Sequence, residues 1–367
     1  MIRRLHSPAA SDRRAPARAL YDAACVSRRF VLLLALGALL ALPASVGARS
    51  AAGSQPRPPA RSAVVLPTRA HARSAVALPT LPGAPNCQLF PADNPWNQRV
   101  DRLPVAKDSA QLITRIGLSD PLHPDFGTVY AGAPNGIPYT IVSGQTPRVP
   151  VSFQYASESD GHDYPIPRGV AIEGGPSSTG DRHVILVDRD TCTDYELYSA
   201  YPHDGGRRWT AGSGAIFNLR SDRLRPAGWT SADAAGLPIL PGLARYSEVA
   251  AGAIDHALRF TAPCTGNHYV YPARHVAPTC SGRFAPPMGL RVRLKASVNI
   301  SRLPYQARVV AQALKLYGLI LADNGSPWYI SGAPNSRWND SALHELDQLS
   351  GRDFQVVNTS SLPHPGL

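Results

Sequence analysis

The sequence predicts a mainly β domain, an antiparallel sandwich or barrel carrying a few packed helices, with an α+β arrangement as the alternative. Three observations predict it. Eight short stretches combine β-branched or aromatic residues with alternating or continuous apolar character. Gly 30 and Pro 36 supply turn residues between them at short intervals. Only one long stretch, opening at Pro304, sustains helical spacing over several turns.

The elements follow in chain order. The Arg-rich residues 1–29 precede an apolar run, Phe30–Leu42, of 13 residues. That is too short to span a bilayer. Pro43 and the small residues Val46-Gly47-Ala48 complete the layout of a secretory signal peptide over 1–48. Residues 49–86 are rich in Ala, Arg and Pro and repeat Arg61–Thr68 as Arg73–Thr80, which reads as a disordered linker. One β-rich globular domain is expected over 87–360, with a tail at 361–367. Asp108 or Ser109 caps a short helix through Ile116. Strands are expected at Pro138–Val142, Val149–Tyr155, Val170–Glu173, His183–Asp188, Asp194–Ser199, Ala215–Leu219, Ile254–Thr261 and Leu290–Ser297. Arg245–Ala251, stopped by Gly252, is a short helix. Pro304 opens the long helix, with Ala307, Val310, Ala311, Leu314 and Tyr317 on one face and Gly318 as its stop. Leu319–Ala322 is a buried strand, and Asn324-Gly325 a hairpin turn into Trp328–Ser331. Asp340 or Ser341 caps a last helix with Leu343, Leu346 and Leu349 inward.

Charge and cysteine usage narrow the function. The formal charge of +11 belongs to the leader: residues 1–80 hold twelve Arg against Asp12 and Asp22 alone. The rest of the chain is nearly neutral, which argues against a nucleic-acid partner. Cys87, Cys192, Cys264 and Cys280 remain after the leader, an even number suited to export; proximity favours Cys87–Cys192 and Cys264–Cys280 over the other two pairings. No C-x-x-C, G-x-S-x-G, H-E-x-x-H or P-loop occurs. The expected location is therefore secreted or extracytoplasmic, with no stable membrane span once the signal is cleaved.

The segments Cys87–Asn97, Gly180-Asp-Arg-His-Val184, Ile254-Asp-His-Ala-Leu-Arg-Phe260 and Ala322-Asp-Asn-Gly325 resemble a family of secreted, functionally uncharacterised, largely actinobacterial proteins. The resemblance covers 87–360. It implies export and one architecture, and carries no catalytic assignment.

Candidate chemistry comes from the residues themselves. Glu173 ends an apolar stretch beside Gly174-Gly175, where a carboxylate can project into a cleft. Glu196 lies mid-strand, on one face with Tyr198. His183 opens the next strand across the Gly174–Gly180 turn, so it is expected close to Glu173. His256 falls on an apolar face with Ile254, Leu258 and Phe260. Together Glu173, Glu196, His183 and His256 are the catalytic candidates; the alternative for the two glutamates is a surface carboxylate and a turn-anchoring one, and for the two histidines a hydrogen-bonded core role. Arg274 and His275 lie in a loop, and Arg291, Arg293 and Lys295 form a cationic stripe on one strand face, suited to clamping an acidic glycan. Metal ligation by a set drawn from His123, His183, His256 and His275 lacks supporting spacing, so no metal or other cofactor is expected. The reading is a protein acting on extracellular or cell-wall glycan, as a glycoside hydrolase or polysaccharide lyase. The alternative is a non-catalytic glycan-binding or envelope protein whose ligand is still a polysaccharide.

Overall fold

The computed structural model describes residues 78–161 and 163–367; the signal peptide expected over 1–48 and most of the expected linker lie outside them. The end of that linker is ordered. Thr80–Leu81 pairs antiparallel with Ala84–Gln88, and Leu81 and Ala84 are buried. A single leucine in a Pro/Ala-rich stretch is a weak signal in composition, but its burial anchors the segment. The expected tail is also engaged: Pro363 O accepts from Gln98 and Pro365 O from the Tyr271 hydroxyl.

Strands dominate, with a few helices packed on them. A six-stranded sheet runs Phe354–Val356, Arg291–Leu294, Leu319–Asn324, Leu258–Ala262, Tyr329–Ser331, His123–Asp125 in spatial order. A four-stranded sheet runs Ser213–Asn218, Thr193–Tyr198, Val184–Asp188, Tyr139–Val142. A third joins Tyr201–His203, Arg208–Ala211, Val149–Phe153 and Asp163–Tyr164. All three are mixed, because Leu258–Ala262 with Leu319–Asn324, Tyr139–Val142 with Val184–Asp188, and Val149–Phe153 with Arg208–Ala211 run parallel. Long connections make these pairings invisible to short-range turn signals.

The strand Val184–Asp188 explains how the layers meet. Ile185 and Val187 enter the larger core, while Val184 and Leu186 enter the smaller one with Val151, Tyr164 and Trp209. Period-two alternation therefore feeds two cores from one strand, and its sequence reads as a continuous apolar run. In the larger core Phe260, Trp328 and Phe354 form a stack, with ring centroids 5.4 and 4.9 Å apart. The helix Tyr305–Leu316 lays Ala307, Val310, Ala311 and Leu314 on the same core. The helices Ser109–Gly117 and Tyr246–Ala251 form where expected, the former with Asp108 at the N-cap position but no capping hydrogen bond from its side chain, the latter ended by left-handed Gly252. The last helix, Asp340–His344, is capped by the Asn339 side chain instead of by Asp340 or Ser341.

Two expected elements differ. Val170–Glu173 is an irregular segment, because Pro167 and Gly169 precede it and a turn at Gly174-Gly175, both with positive φ, follows at once. Asn324-Gly325 does not close a hairpin: Leu258–Ala262 lies between the two strands, with Trp328 N donating to Thr261 O at 3.2 Å.

Both disulfides pair as proximity favours, Cys87–Cys192 and Cys264–Cys280. The second closes a loop with a sequence separation of 16. Replacing Cys264 and Cys280 together by alanine is expected to cost about 3 kcal/mol in the chain-entropy account. Urea unfolding of the oxidised parent and the variant measures it; equal midpoints would contradict the expectation. Among the described residues no helix is long and apolar enough to cross a membrane.

Candidate functional site

Arg259 is the centre of the polar cluster. Alternation along Leu258–Ala262 sends Leu258, Phe260 and Ala262 into the core and Arg259 to the opposite face. A buried guanidinium must be paired and hydrogen-bonded. Its Nε donates to Asp233 Oδ2 at 3.0 Å, Nη1 to Ser331 Oγ at 2.7 Å, and Nη2 lies 3.5 Å from Asp323 Oδ2. Ser331 faces Arg259 because Phe260 is paired with Ile330 in the antiparallel register. Asp323 arrives through an irregularity: the register jumps from Phe260–Leu321 to Thr261–Asp323. That extra residue, Ala322, turns the Asp323 side chain toward Arg259.

Two loops bring the remaining groups. The 174–182 loop is stapled by buried Arg182, which donates to the carbonyls of Pro176, Ser178 and Ala200. This fixes Glu173, whose Oε2 lies 2.7 Å from His183 Nδ1 and also accepts from the His183 backbone N–H. His183 Nε2 lies 3.0 Å from Ala232 O, so the ring ties this loop to the one carrying Asp233. A carbonyl only accepts, so Nε2–H donates there; with a carboxylate at Nδ1, both ring nitrogens carry protons. Burial lowers the His183 pKa, but the Glu173 charge and hydrogen bond outweigh it and hold it at about 9. For Glu173, burial pushes upward, while the His183 charge, its hydrogen bonds and then Arg259 bring the carboxylate below its ordinary range. The Glu173 side chain is 24% exposed, and among the described residues no donor meets its Oε1.

Asp323 is displaced the other way. Burial, then the neighbouring Asp233 charge, raise it to about 7 against the partial relief of Arg259. Burial also raises Asp233, which leaves Oδ1 without a partner. Asp125, next to Ser331 across the parallel pairing, completes the set. It is open to solvent, yet protein crowds it enough to raise its pKa, with the Glu173 charge adding to the effect. Asp125 also lines a cavity of about 340 Å³ with His123, Tyr130, Tyr329, Asp340 and His344. That volume is within the range of small-ligand sites. Val129 and Tyr130 at its rim are 61% and 75% exposed.

The other predicted residues lie elsewhere. Glu196 is wholly buried and accepts the backbone N–H groups of Ile239 and Leu240 at 2.8 to 2.9 Å, a structural role. Beside it, burial and then the Glu196 charge push the Asp194 carboxyl well above the ordinary carboxylate range. His256 is buried with Nδ1 on Ala257 O at 2.7 Å and Nε2 between Arg245 and Glu248, so it too is a satisfied core histidine. Arg291 and Arg293 do not form a solvated stripe with Lys295. Both arginines are buried: Arg291 donates to the carbonyls of Pro95, Gln98 and Tyr317, and Arg293 to that of Val100. The loops across that face supply unpaired carbonyls, and the arginines fill them. Lys295 donates to Arg352 O at 2.6 Å. Arg274 and His275 brace the Asp233 loop, their backbone N–H groups both donating to Ala235 O. His183, with both nitrogens donating, positions Glu173 and has no lone pair to act as the expected base. Trp328 and Trp209 are buried in the cores.

The site residues missed from the sequence are Asp125, Asp233, Arg259 and Asp323. Arg259 lies in the segment Ile254–Phe260, Asp323 in Ala322–Gly325 and His183 in Gly180–Val184.

The Glu173–His183 pair makes stability depend on pH. The raised His183 pKa contributes stability that is complete below the ordinary value of 6.5 and is lost as pH rises through about 9. The lowered Glu173 pKa contributes stability present above the ordinary 4.5 and lost as pH falls below it. The pair is therefore strongest between pH 4.5 and 6.5. Thermal unfolding of parent and His183→Gln should differ most in that window and converge above about pH 9. A difference that grows with alkalinity would contradict the pairing.

No family model, curated protein or solved structure matches this chain.

Proposed function

We propose that this is an exported enzyme cleaving glycan by acid–base chemistry, with Asp323 as the proton donor and Glu173 as the base or nucleophile. One arrangement carries the reading: buried Arg259 lies 3.5 Å from Asp323, whose carboxyl burial and Asp233 push up to about 7, while Glu173, paired with His183 at 2.7 Å and within the field of the same Arg259, is pushed below its ordinary range. Opposite displacement of two carboxyls is how one site supplies an acid and a base at the same pH. Glycoside hydrolysis needs that pair. Asp125 links the cluster to the cavity, whose exposed Tyr130 and half-buried Tyr329 offer rings on which a sugar can stack. The mainly apolar, carboxylate-edged lining suits a neutral saccharide better than a polyanion. The two disulfides fit an extracytoplasmic setting, where such a substrate is met.

The test is a screen of cell-wall and plant glycans for reducing ends, followed by a pH profile on any substrate found. The expected profile is a bell. Its alkaline limb falls as Asp323 loses its proton near 7, and its acid limb falls as Glu173 gains one below 4.5. Saccharide binding without any released product would instead establish a binding module.

A further inference from the structure

The geometry points to a divalent transition-metal site, of the Zn²⁺ class, formed by His123, His344 and Asp347 on the wall of the 340 Å³ cavity. The inference is independent of the glycan reading.

One ligand atom from each of the three side chains lies within 4.8 Å of the other two. His123 Nδ1 is 3.9 Å from Asp347 Oδ1, and His344 Nδ1 is 3.7 Å from Asp347 Oδ2. Four-coordinate zinc with ligands at about 2.0–2.1 Å sets neighbouring ligand atoms about 3.3 Å apart. The 3.9 and 3.7 Å approaches go to different Asp347 oxygens, and with one atom per side chain the three lie within 4.8 Å, so the side chains need to draw in by about 0.4–1.5 Å, an adjustment open to the exposed His344 and Asp347.

The scaffold is rigid. His123 belongs to the edge strand of the six-stranded sheet, and its ring lies 4.2 Å from the Tyr329 ring on the neighbouring strand. His344 ends the Asp340–His344 helix, and Asp347 follows three positions later in the helical turn Glu345–Gln348. Spacing of three puts both on one face. Asp347 has no cation for a partner among the described residues except these two imidazoles. Nitrogen and carboxylate ligands of this kind select borderline ions over Ca²⁺ or Mg²⁺.

Three protein ligands leave a coordination position open. Two of them, His123 and His344, line the cavity that Asp125 and Asp340 also enter. An ion there would hold an oxygen of a cavity ligand, as an open three-ligand site does.

The test uses the untagged protein, so that no added histidines compete. Zn²⁺ is titrated calorimetrically, and Co²⁺ is followed by its visible absorption. The expected result is one saturable equivalent, a Co²⁺ band, and weakening as pH falls and protons compete for the imidazoles. His344→Ala and Asp347→Asn should each reduce affinity by about tenfold or more. His203→Ala, an exposed histidine bonded to Thr210, should leave it unchanged. Both ligand positions are solvent-exposed, so circular dichroism should show the variants folded. Absence of saturable binding would overturn the site, as would undiminished binding in the His123→Ala, His344→Ala double variant. Because the readout is metal binding, a failed glycan screen would leave the site standing, and a failed titration would leave the carboxylate pair standing.

Discussion

Asp323→Asn is expected to lower kcat/KM on a glycan substrate by about 10²–10⁴-fold, the usual worth of a positioned general acid. Asparagine keeps the size of the side chain and a carbonyl oxygen toward Arg259, but it has no proton to give. The parent residue holds that proton up to about pH 7 because burial and Asp233 oppose its ionisation. A substrate whose leaving group needs no protonation should recover most of the loss in Asp323→Asn. Glu173→Gln should not be rescued in the same way, since the role proposed for Glu173 is to attack or to activate water. Rates within tenfold of the parent, from protein with an unchanged melting temperature, would remove Asp323 from the mechanism.

Arg259→Leu is the second large effect, and it falls on stability. The guanidinium is 3% exposed and holds Asp233, Asp323 and Ser331 together. Breaking a buried ion pair from one side costs about 3–5 kcal/mol, because the partner charge is left without compensation. Here two carboxylates lose their cation. The penalty should grow as pH rises through the titration of Asp323 near 7, when the uncompensated group must ionise. Urea midpoints at pH 5 and pH 8 measure both terms. A loss under about 1 kcal/mol at either pH would mean that the cluster does not depend on Arg259. Arg259→Lys restores the charge but not the forked geometry, and should recover only part.

Much of the fold is legible in the sequence because it depends on local rules. The helix Tyr305–Leu316 follows its apolar spacing, Gly252 ends a helix by its left-handed backbone, and the paired cysteines match by proximity. The pairing of strands is not local, so the parallel neighbours and the strand inserted between Asn324 and Trp328 lie beyond those rules. The site divides on the same line. Glu173 and His183 meet across one turn and are found by reading that turn. Arg259 alternates with Leu258 and Phe260 and reads as the outer face of a strand, while Asp323 reads as the first residue of a hairpin turn. Their meeting depends on a bulge between two parallel strands some sixty residues apart, which neither segment announces alone. Arg291 and Arg293 mislead for the complementary reason. Alternation tells which face they occupy, but only the chain crossing that face decides whether water or carbonyl oxygens await them.

The C-terminal segment offers a practical handle. His364 stacks on Tyr271 at 4.3 Å between the two anchored carbonyls of Pro363 and Pro365, while Leu367 is 76% exposed. A biotin or surface linker joined after Leu367 would thus extend from a clamped base instead of a loose tether. None of the residues holding that base lines the cavity. Protein coupled to a sensor chip in this way would present its molecules in a common orientation with the cavity chemically untouched, a suitable format for array measurements of saccharide or metal binding.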